Sequence, residues 1–289
     1  NNSNILKMIT CKLCGGLGNQ LFQIYTTIAY SMKYYKPFFF LNNYLLGNGE
    51  NGSTIRHTYW ETFLSSLKPF LKNMNEIPQL AFIKEKAFEY NSLPEISKND
   101  YGNLLVGYFQ SPKYFHHYKD VIYKFLKINT KKQTVKSKVS INFDTSCIIS
   151  MHLRFGDYKK YPTIYALLDT YYYINALSYI VNAVSNDKKI MVFYFCEDES
   201  ISEANEIIDC LKTHFHIQFQ RADPMLDDWE QMLFMSLCHH NIIANSTFSW
   251  WGAYLNTNQD KIVCYPDQWF LTNKNTSDLF LEDWIQISS

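Results

Sequence analysis

Three segments of this 289-residue chain combine hydrogen-bond donors, cations and turn residues in patterns suited to holding an anion. Residues 241–257 read NIIANSTFSWWGAYLNT. A parallel strand such as Ile242 to Ala244 delivers Asn245, Ser246 and Thr247 to a sheet edge. There the open N–H groups of a helix starting near Phe248 can bind a diphosphate, and the hydroxyls of Ser246, Thr247 and Ser249 add donors. The competing reading is that Asn245 or Ser246 only caps the helix. Residues 151–162, MHLRFGDYKKYP, follow the short strand-like run Ser146 to Ser150 and turn at Gly156-Asp157. His152 and Arg154, two apart on an extended chain, point to the same side. Arginine binds phosphate bidentately and never loses its charge; the alternative is a surface salt bridge from Arg154 to Asp157.

The third segment runs from Cys14 to Tyr35. The apolar strand Met8 to Leu13 feeds the glycines Gly15, Gly16 and Gly18, and a helix follows with Leu21, Phe22, Tyr25, Ile28, Ala29 and Met32 at helical spacing. Glycines there permit a tight turn and close approach of a ligand to the backbone. Leu21 stands where the third glycine of GxGxxG would be, and no GK followed by Ser or Thr is present. This is therefore neither a dinucleotide fingerprint nor a P-loop. The glycines serve as a turn alone, or as a turn that presents the amides Asn19 and Gln20.

In this order, GGLGNQLFQ, HLRFGDY, FCEDES (Phe195 to Ser200) and NIIANSTFSWWGAYL resemble the family 11 glycosyltransferases, chiefly α1,2-fucosyltransferases. The smaller element GYFQSPKYF (Gly107 to Phe115) lies where that family has its counterpart, so the resemblance covers most of the chain. It implies an α/β fold of the GT-B type, two Rossmann-like domains with parallel sheets facing a central cleft. It implies an inverting enzyme that transfers L-fucose from GDP-β-L-fucose to the 2-hydroxyl of a terminal galactose. In the HxRxGD element Arg154 grips the donor phosphates with His152 beside it, and Asp157 organises the site or acts as the base. Asn19, in the turn of Gly16 and Gly18, reaches the reacting sugar and leaving oxygen. Glu197 and Asp198 lie near the nucleoside, and Ser246, Thr247, Phe248 and Ser249 form the phosphate turn.

Two positions depart from the family pattern. HxRRGD is usual, but Phe155 occupies the second arginine position; an acid that helps hold guanine is common where Gln231 stands. Glu230 is adjacent, but neighbours on a helix face about 100° apart, so it is no automatic substitute. A different nucleotide sugar, or a non-catalytic nucleotide or glycan-binding module, is the alternative reading.

The leaving group dictates the chemistry. Cleaving a glycosyl phosphate builds charge on the β-phosphate, which Arg154 with hydroxyl and backbone donors can stabilise without a metal. No metal or other cofactor is expected: no convincing DxD pair appears, and Asp227-Asp228 reads as the acidic first turn of a helix. A formal net charge of +0 leaves no electrostatic footprint for nucleic acid. The 22 Tyr and 21 Phe are mostly core, with a few available for stacking on sugars or bases. Seven cysteines without metal spacing read as reduced, packed thiols of a cytoplasmic protein. Cys11 and Cys14 form a CxxC, whose redox reading is the sharper alternative. No run of 18 apolar residues spans a membrane, and because the chain opens on NNSN without Met, an upstream anchor or leader stays open.

Strand and helix patterns alternate along the whole chain. In the first half they include the helix Gln20 to Tyr34, the strand Pro37 to Asn42, and helices at Thr58 to Leu67 and Glu76 to Glu85. The polar stretch Lys127 to Ser140 is the linker candidate, dividing an N-terminal domain, 1–135, from a C-terminal nucleotide-sugar domain, 136–289. Beyond it, strands Ser146 to His152, Lys189 to Phe195, Ile217 to Gln220, Asn241 to Ala244 and Lys261 to Tyr265 alternate with helices Thr170 to Ser185, Ile201 to Thr213, Asp227 to His239 and Phe248 to Asn256. Such alternation predicts a parallel sheet with ligands at the carboxyl ends of its strands, where Arg154, Asp198 and Ser246 all fall. His239-His240 read as a solvated helix end.

Overall fold

The computed structural model describes residues 8–46, 55–77, 79–96, 102–139, 141–184 and 188–289. The chain divides into two compact units, Asn1–Lys131 with Lys274–Leu281, and Lys132–Asn273 with Glu282–Ser289. The first holds β1 (Ile9–Cys11), α1 (Leu17–Lys33), β2 (Phe40–Leu41), β3 (Leu45–Leu46), β4 (Arg56–His57), β5 (Leu71–Lys72), β6 (Leu80–Lys84), β7 (Gly102–Val106) and α2 (Lys119–Phe125). β7 lies between β1 and β6, parallel to both. A parallel bridge from Ile9 to Phe38 leads on toward the parallel pair β2–β5; β3 and β4 form a short antiparallel pair.

α1 is buried along nearly its whole length. Its buried glutamines are anchored through their side-chain nitrogens: Gln20 Nε2 donates to the carbonyls of Gly15 and His57, and Gln23 Nε2 to that of Gly107, while Gln20 Oε1 is left without a partner. The turn ahead of the helix depends on Gly15, whose φ of 77° lies in the left-handed region.

α3 (Ile128–Lys138) contains the division between the units. The expected linker is thus a helix, because its few apolar residues fall at helical spacing: Ile128, Val135 and Val139 are buried. Lys132 is buried on the same face and donates to the Leu255 carbonyl. Ser140, the expected linker end, lies outside the described residues.

The second unit holds β8 (Ser146–His152), α4 (Thr170–Ala183), β9 (Lys189–Phe195), α5 (Ile201–His214), β10 (Gln218–Arg221), α6 (Asp228–Met235), β11 (His240–Ile242), α7 (Thr247–Tyr254), β12 (Val263–Pro266) and β13 (Ile285–Ile287). The sheet runs β10-β9-β8-β11-β12-β13, parallel throughout. Its core gathers Ile149, Met151 and Val192 from the strands with Tyr172, Leu177 and Ile180 from α4 and Ile208 and Leu211 from α5. Burial of each such side chain stabilises the unit by roughly 1.5–3 kcal/mol. Asp169 caps α4 by accepting from the N–H groups of Tyr171 and Tyr172.

Several expectations need correction. Glu76 to Glu85 is not a helix: Leu80–Lys84 is the strand β6, whose pairing with β7 overrides the helix-forming Lys and Glu residues. Thr58 to Leu67 is mostly turn, ending in the 3-10 segment Ser65–Phe70. The strands β7 and β13 are not signalled by the sequence pattern, since Gly102 and Asn103 open the first and the second is only three residues long. Ser185, the expected end of α4, lies outside the described residues. His239 and His240 do not form a solvated end. The Nδ1 of His239 accepts from the Ile148 N–H, and that of His240 from the Ile262 N–H, so the two rings close hydrogen bonds beside β8 and β12. Among the described residues no helix is long and apolar enough to cross a membrane.

Candidate functional site

Strand register builds the site. His152 on β8 is level with Phe195 on β9, so Arg154 and Glu197, each two residues further on, emerge side by side at the carboxyl edge. Met151 is level with Ile242 on β11, which brings Asn245 opposite Arg154 by the same count. The side chains complete this arrangement. Arg154 donates through Nη1 to Glu197 Oε1 and through Nη2 to Asp157 Oδ1, and its guanidinium lies 5.0 Å from the ring centroid of Tyr158. Burial alone would lower the Arg154 guanidinium, but Glu197, Tyr158 and Asp157 outweigh it and push it up. The turn has little room: a Cβ on Gly156 would lie 2.7 Å from Glu197 Oε1.

Tyr158 joins the arginine to the serine turn. Its hydroxyl donates to the Asn245 carbonyl at 2.7 Å, and burial first, partly offset by Arg154, pushes its phenol well above the usual range. Its ring stacks on Tyr165 with centroids 4.1 Å apart, and Phe270 lies 5.8 Å beyond Tyr165. Asn245 is anchored by its Nδ2 donating to the carbonyls of Ala166 and Trp269. Three buried polar atoms around this cluster have no partner: Arg154 Nε, Glu197 Oε2 and Asn245 Oδ1. Unpaired buried atoms cost free energy, and these three lie together at the carboxyl edge of one sheet, which makes that edge the candidate ligand position.

The serine turn is both cap and neighbour. Ser246 has an extended backbone and its Oγ accepts from the Phe248 N–H, so it is the N-cap of α7. Thr247 and Phe248, in the first turn, are half-buried. Ser249 departs from its expected role as a donor-binding hydroxyl. It is 1% exposed and its Oγ is 2.9 Å from His152 Nδ1, because the third residue of the helix turns back toward the sheet. His152 is likewise interior: burial, then Arg154, lowers its imidazole to about 3, leaving it neutral. It props the turn from below, with Phe248 5.6 Å from its ring, and its carbonyl accepts from Tyr173.

Asp198 stands apart from its neighbour Glu197. It is exposed and pairs with Arg221 at the end of β10, so the carboxyl edge reads Arg221 with Asp198, Glu197 with Arg154, then Asn245 and Ser246. The two positions that depart from the family pattern also find explanations. Phe155 is buried in the core, whereas Arg154 reaches Glu197 and Asp157 at the sheet edge. Gln231 donates to the Leu226 carbonyl, while Glu230 is buried as the capping-box partner of Asp227 and pairs with Lys138; it does not replace the missing acid.

In the first unit, Gly16 is the N-cap of α1 and Gly18 is buried within it. Asn19 Oδ1 accepts from Gln110 Nε2 at 2.9 Å. Tyr158, Tyr165, Arg221 and Gln110 carry no role in the sequence reading. Tyr158 and Gln110 lie inside quoted motifs, a signal available without coordinates; Arg221 and Tyr165 give none.

The profile described as "Glycosyl transferase family 11" matches residues 2–288. The chain belongs to glycosyl transferase family 11. It is 28% identical over 312 residues to the O-antigen biosynthesis glycosyltransferase WbnK of Escherichia coli, covering 97% of this chain and 100% of the relative. It is 26% identical over 308 residues to an α1,2-colitosyltransferase of Escherichia coli, covering 98% and 99%. Among solved structures, the Escherichia coli ADP-heptose lps heptosyltransferase II superposes with a TM-score of 0.52 at 9% identity, covering 98% of this chain and 90% of that one. That likeness concerns the fold, which is α/β with parallel sheets, of the GT-B type.

Proposed function

We propose that this glycosyltransferase is an inverting, metal-independent α1,2-fucosyltransferase that moves L-fucose from GDP-β-L-fucose to the 2-hydroxyl of a terminal galactose. The observation that carries the reading is the placement of Arg154 at the carboxyl edge of β8, with Tyr158 linking it to the Asn245-Ser246 turn and unpaired polar atoms clustered around it. A diphosphate bound there meets the first-turn N–H groups of α7 and, on exchanging with the carboxylates of Glu197 and Asp157 that pair with it in the free protein, the Arg154 guanidinium, which then neutralises the charge developing on the leaving β-phosphate. Asp157, in the same turn, is assigned as the base that takes the acceptor proton, and Asn19 as the amide at the reacting sugar. The 1,2 linkage in the name of the colitosyl relative supports the linkage proposed here.

That same name favours a second donor, a different deoxy sugar on the nucleotide, and Gln231 in place of an acid weakens the argument for guanine. A thermal-shift panel of GDP, UDP, ADP and CMP addresses the base: stabilisation by GDP alone is expected, and stabilisation by UDP but not GDP overturns the donor assignment. Hydrolysis and transfer assays with GDP-fucose address the chemistry. Arg154→Ala is expected to lose roughly 10- to 100-fold in GDP affinity, the worth of one or two charge-assisted hydrogen bonds, and to lose turnover; wild-type turnover no faster than the variant's removes the enzyme reading. Turnover is expected to survive EDTA unchanged.

A further inference from the structure

Within the first unit, the short antiparallel pair β3–β4 has no part in the reading so far. It follows β2, which runs on from the parallel bridge between Phe38 and Ile9 of β1. Asn42, Asn43 and Tyr44 therefore leave the carboxyl end of β2 on the same side as the glycine turn that leaves β1. Carboxyl ends of parallel strands are where α/β units hold their ligands. Gln20 ties the two segments together. It is fully buried, and its Nε2 donates both to the Gly15 carbonyl of the turn and to the His57 carbonyl of β4, at 3.0 and 2.9 Å. Two carbonyl acceptors fix which way round this amide lies. The base of the pair is anchored as firmly. The Thr58 N–H donates to the Tyr44 carbonyl at 2.9 Å, and Thr58 Oγ1 and Trp60 Nε1 donate to the Asn43 carbonyl at 2.7 and 3.2 Å.

What this anchored base presents to solvent is aromatic. His57 stands between two tyrosines, its ring centroid 4.6 Å from that of buried Tyr59 and 6.3 Å from that of Tyr44, whose plane is 26° from its own. His57 is exposed, Tyr44 is 67% exposed, and Leu45, level with His57 across the pair, is 57% exposed. The exposed amides Asn42 and Asn43 lead into the row. We infer that the Tyr44–His57 row is a carbohydrate-binding subsite of the first unit, on which the terminal galactose of the acceptor glycan stacks. A β-galactose ring carries the C–H bonds of C3, C4 and C5 on one face, which suit the negative face of an aromatic ring. Its hydroxyls exchange hydrogen bonds with amide and imidazole groups such as those of Asn43 and His57. Two rings and one leucine fall well short of the ~800 Å² per partner that a stable protein interface buries, whereas they match one or two sugar rings.

The inference rests on the proposed function for the identity of the sugar, and the test separates the two. Binding of lactose, a galactose-terminated disaccharide, to the full chain is measured by saturation-transfer difference NMR for wild type, Tyr44→Ala, Tyr44→Phe and His57→Ala, with the Tm of each as a check on folding. Wild type is expected to bind, with the galactose C–H protons receiving most of the saturation. Tyr44→Ala and His57→Ala are expected to weaken binding roughly 3- to 10-fold, the worth of one ring contact, and Tyr44→Phe, which keeps the ring, to bind as wild type does. In transfer assays from GDP-fucose the two alanine variants should raise KM for lactose by the same factor and leave KM for GDP-fucose within about twofold. Equal lactose binding by wild type and both alanine variants, a Tyr44→Phe as weak as Tyr44→Ala, or no lactose binding by a wild type that binds GDP overturns the inference while leaving the transferase reading intact. Self-association of wild type that Tyr44→Ala abolishes assigns the row to an interface between copies and likewise overturns it. A wild type that binds lactose through Tyr44 but transfers nothing from GDP-fucose removes the donor assignment and leaves the glycan subsite standing.

Discussion

Replacing His152 by Gln tests the account of how the phosphate turn is supported. His152 is 5% exposed, lies 2.9 Å from Ser249 Oγ through Nδ1, and sits two residues from a guanidinium. Burial first and Arg154 second lower its imidazole to about 3, against about 6.5 in an unfolded chain. The sign follows directly. Between these two values the unfolded chain binds a proton that the folded chain refuses, so stability rises with pH across the window and falls on acidification. Only the interval from pH 6.5 to 5 is useful, because it lies above the ordinary carboxylate range. Integrating one proton across it gives about 1–2 kcal/mol lost from His152 alone.

His240, lowered to about 4 by burial and then by His239, and His239, lowered chiefly by burial, add losses of the same sign. The assay is thermal unfolding at pH 6.5 and 5 for wild type and His152→Gln. The variant is less stable throughout, since the Ser249 contact changes, but its fall in Tm between the two pH values should be smaller by roughly 2–3 °C. Parallel falls in Tm for the two proteins would refute a neutral, buried His152 and with it the interior prop assigned to the turn.

Two further outcomes follow from the same site. Tyr158→Phe keeps the ring against Arg154 and Tyr165 but strands the Asn245 carbonyl, so chemical denaturation should show a loss of about 1–2 kcal/mol while GDP affinity stays within about twofold; a large loss of affinity at unchanged stability would place the hydroxyl on the ligand instead. Gly156→Ala pushes a methyl to within 2.7 Å of Glu197 Oε1. It should displace that carboxylate from Arg154 and alter GDP affinity measurably by calorimetry, and an unchanged affinity contradicts the coupling of Glu197 to the donor site.

The strand, turn and helix succession of the second unit is legible in the chain because each piece is decided locally. β-branched runs such as Ser146 to Ser150, a capping serine at 246 and apolar residues at helical spacing in α5 are short-range signals, and the observed β8, α7 and α5 occupy those places. The candidate residues around Arg154 are visible for the same reason, since His152, Arg154 and Asp157 lie within one short motif. What tertiary structure alone decided is which distant groups share an edge. The pairing of His152 with Phe195 sets Arg154 against Glu197, while the neighbouring Asp198 pairs with Arg221 of β10, a distinction that two adjacent acids cannot express in sequence. Burial is the other decision of the whole fold. It turns Ser249 inward, and it gives the polar stretch of α3 one buried face, with Ile128, Lys132 and Val135 inside. It also converts His239 and His240 into backbone acceptors, since whether a polar group faces water or a strand depends on what packs over it and not on its neighbours in the chain.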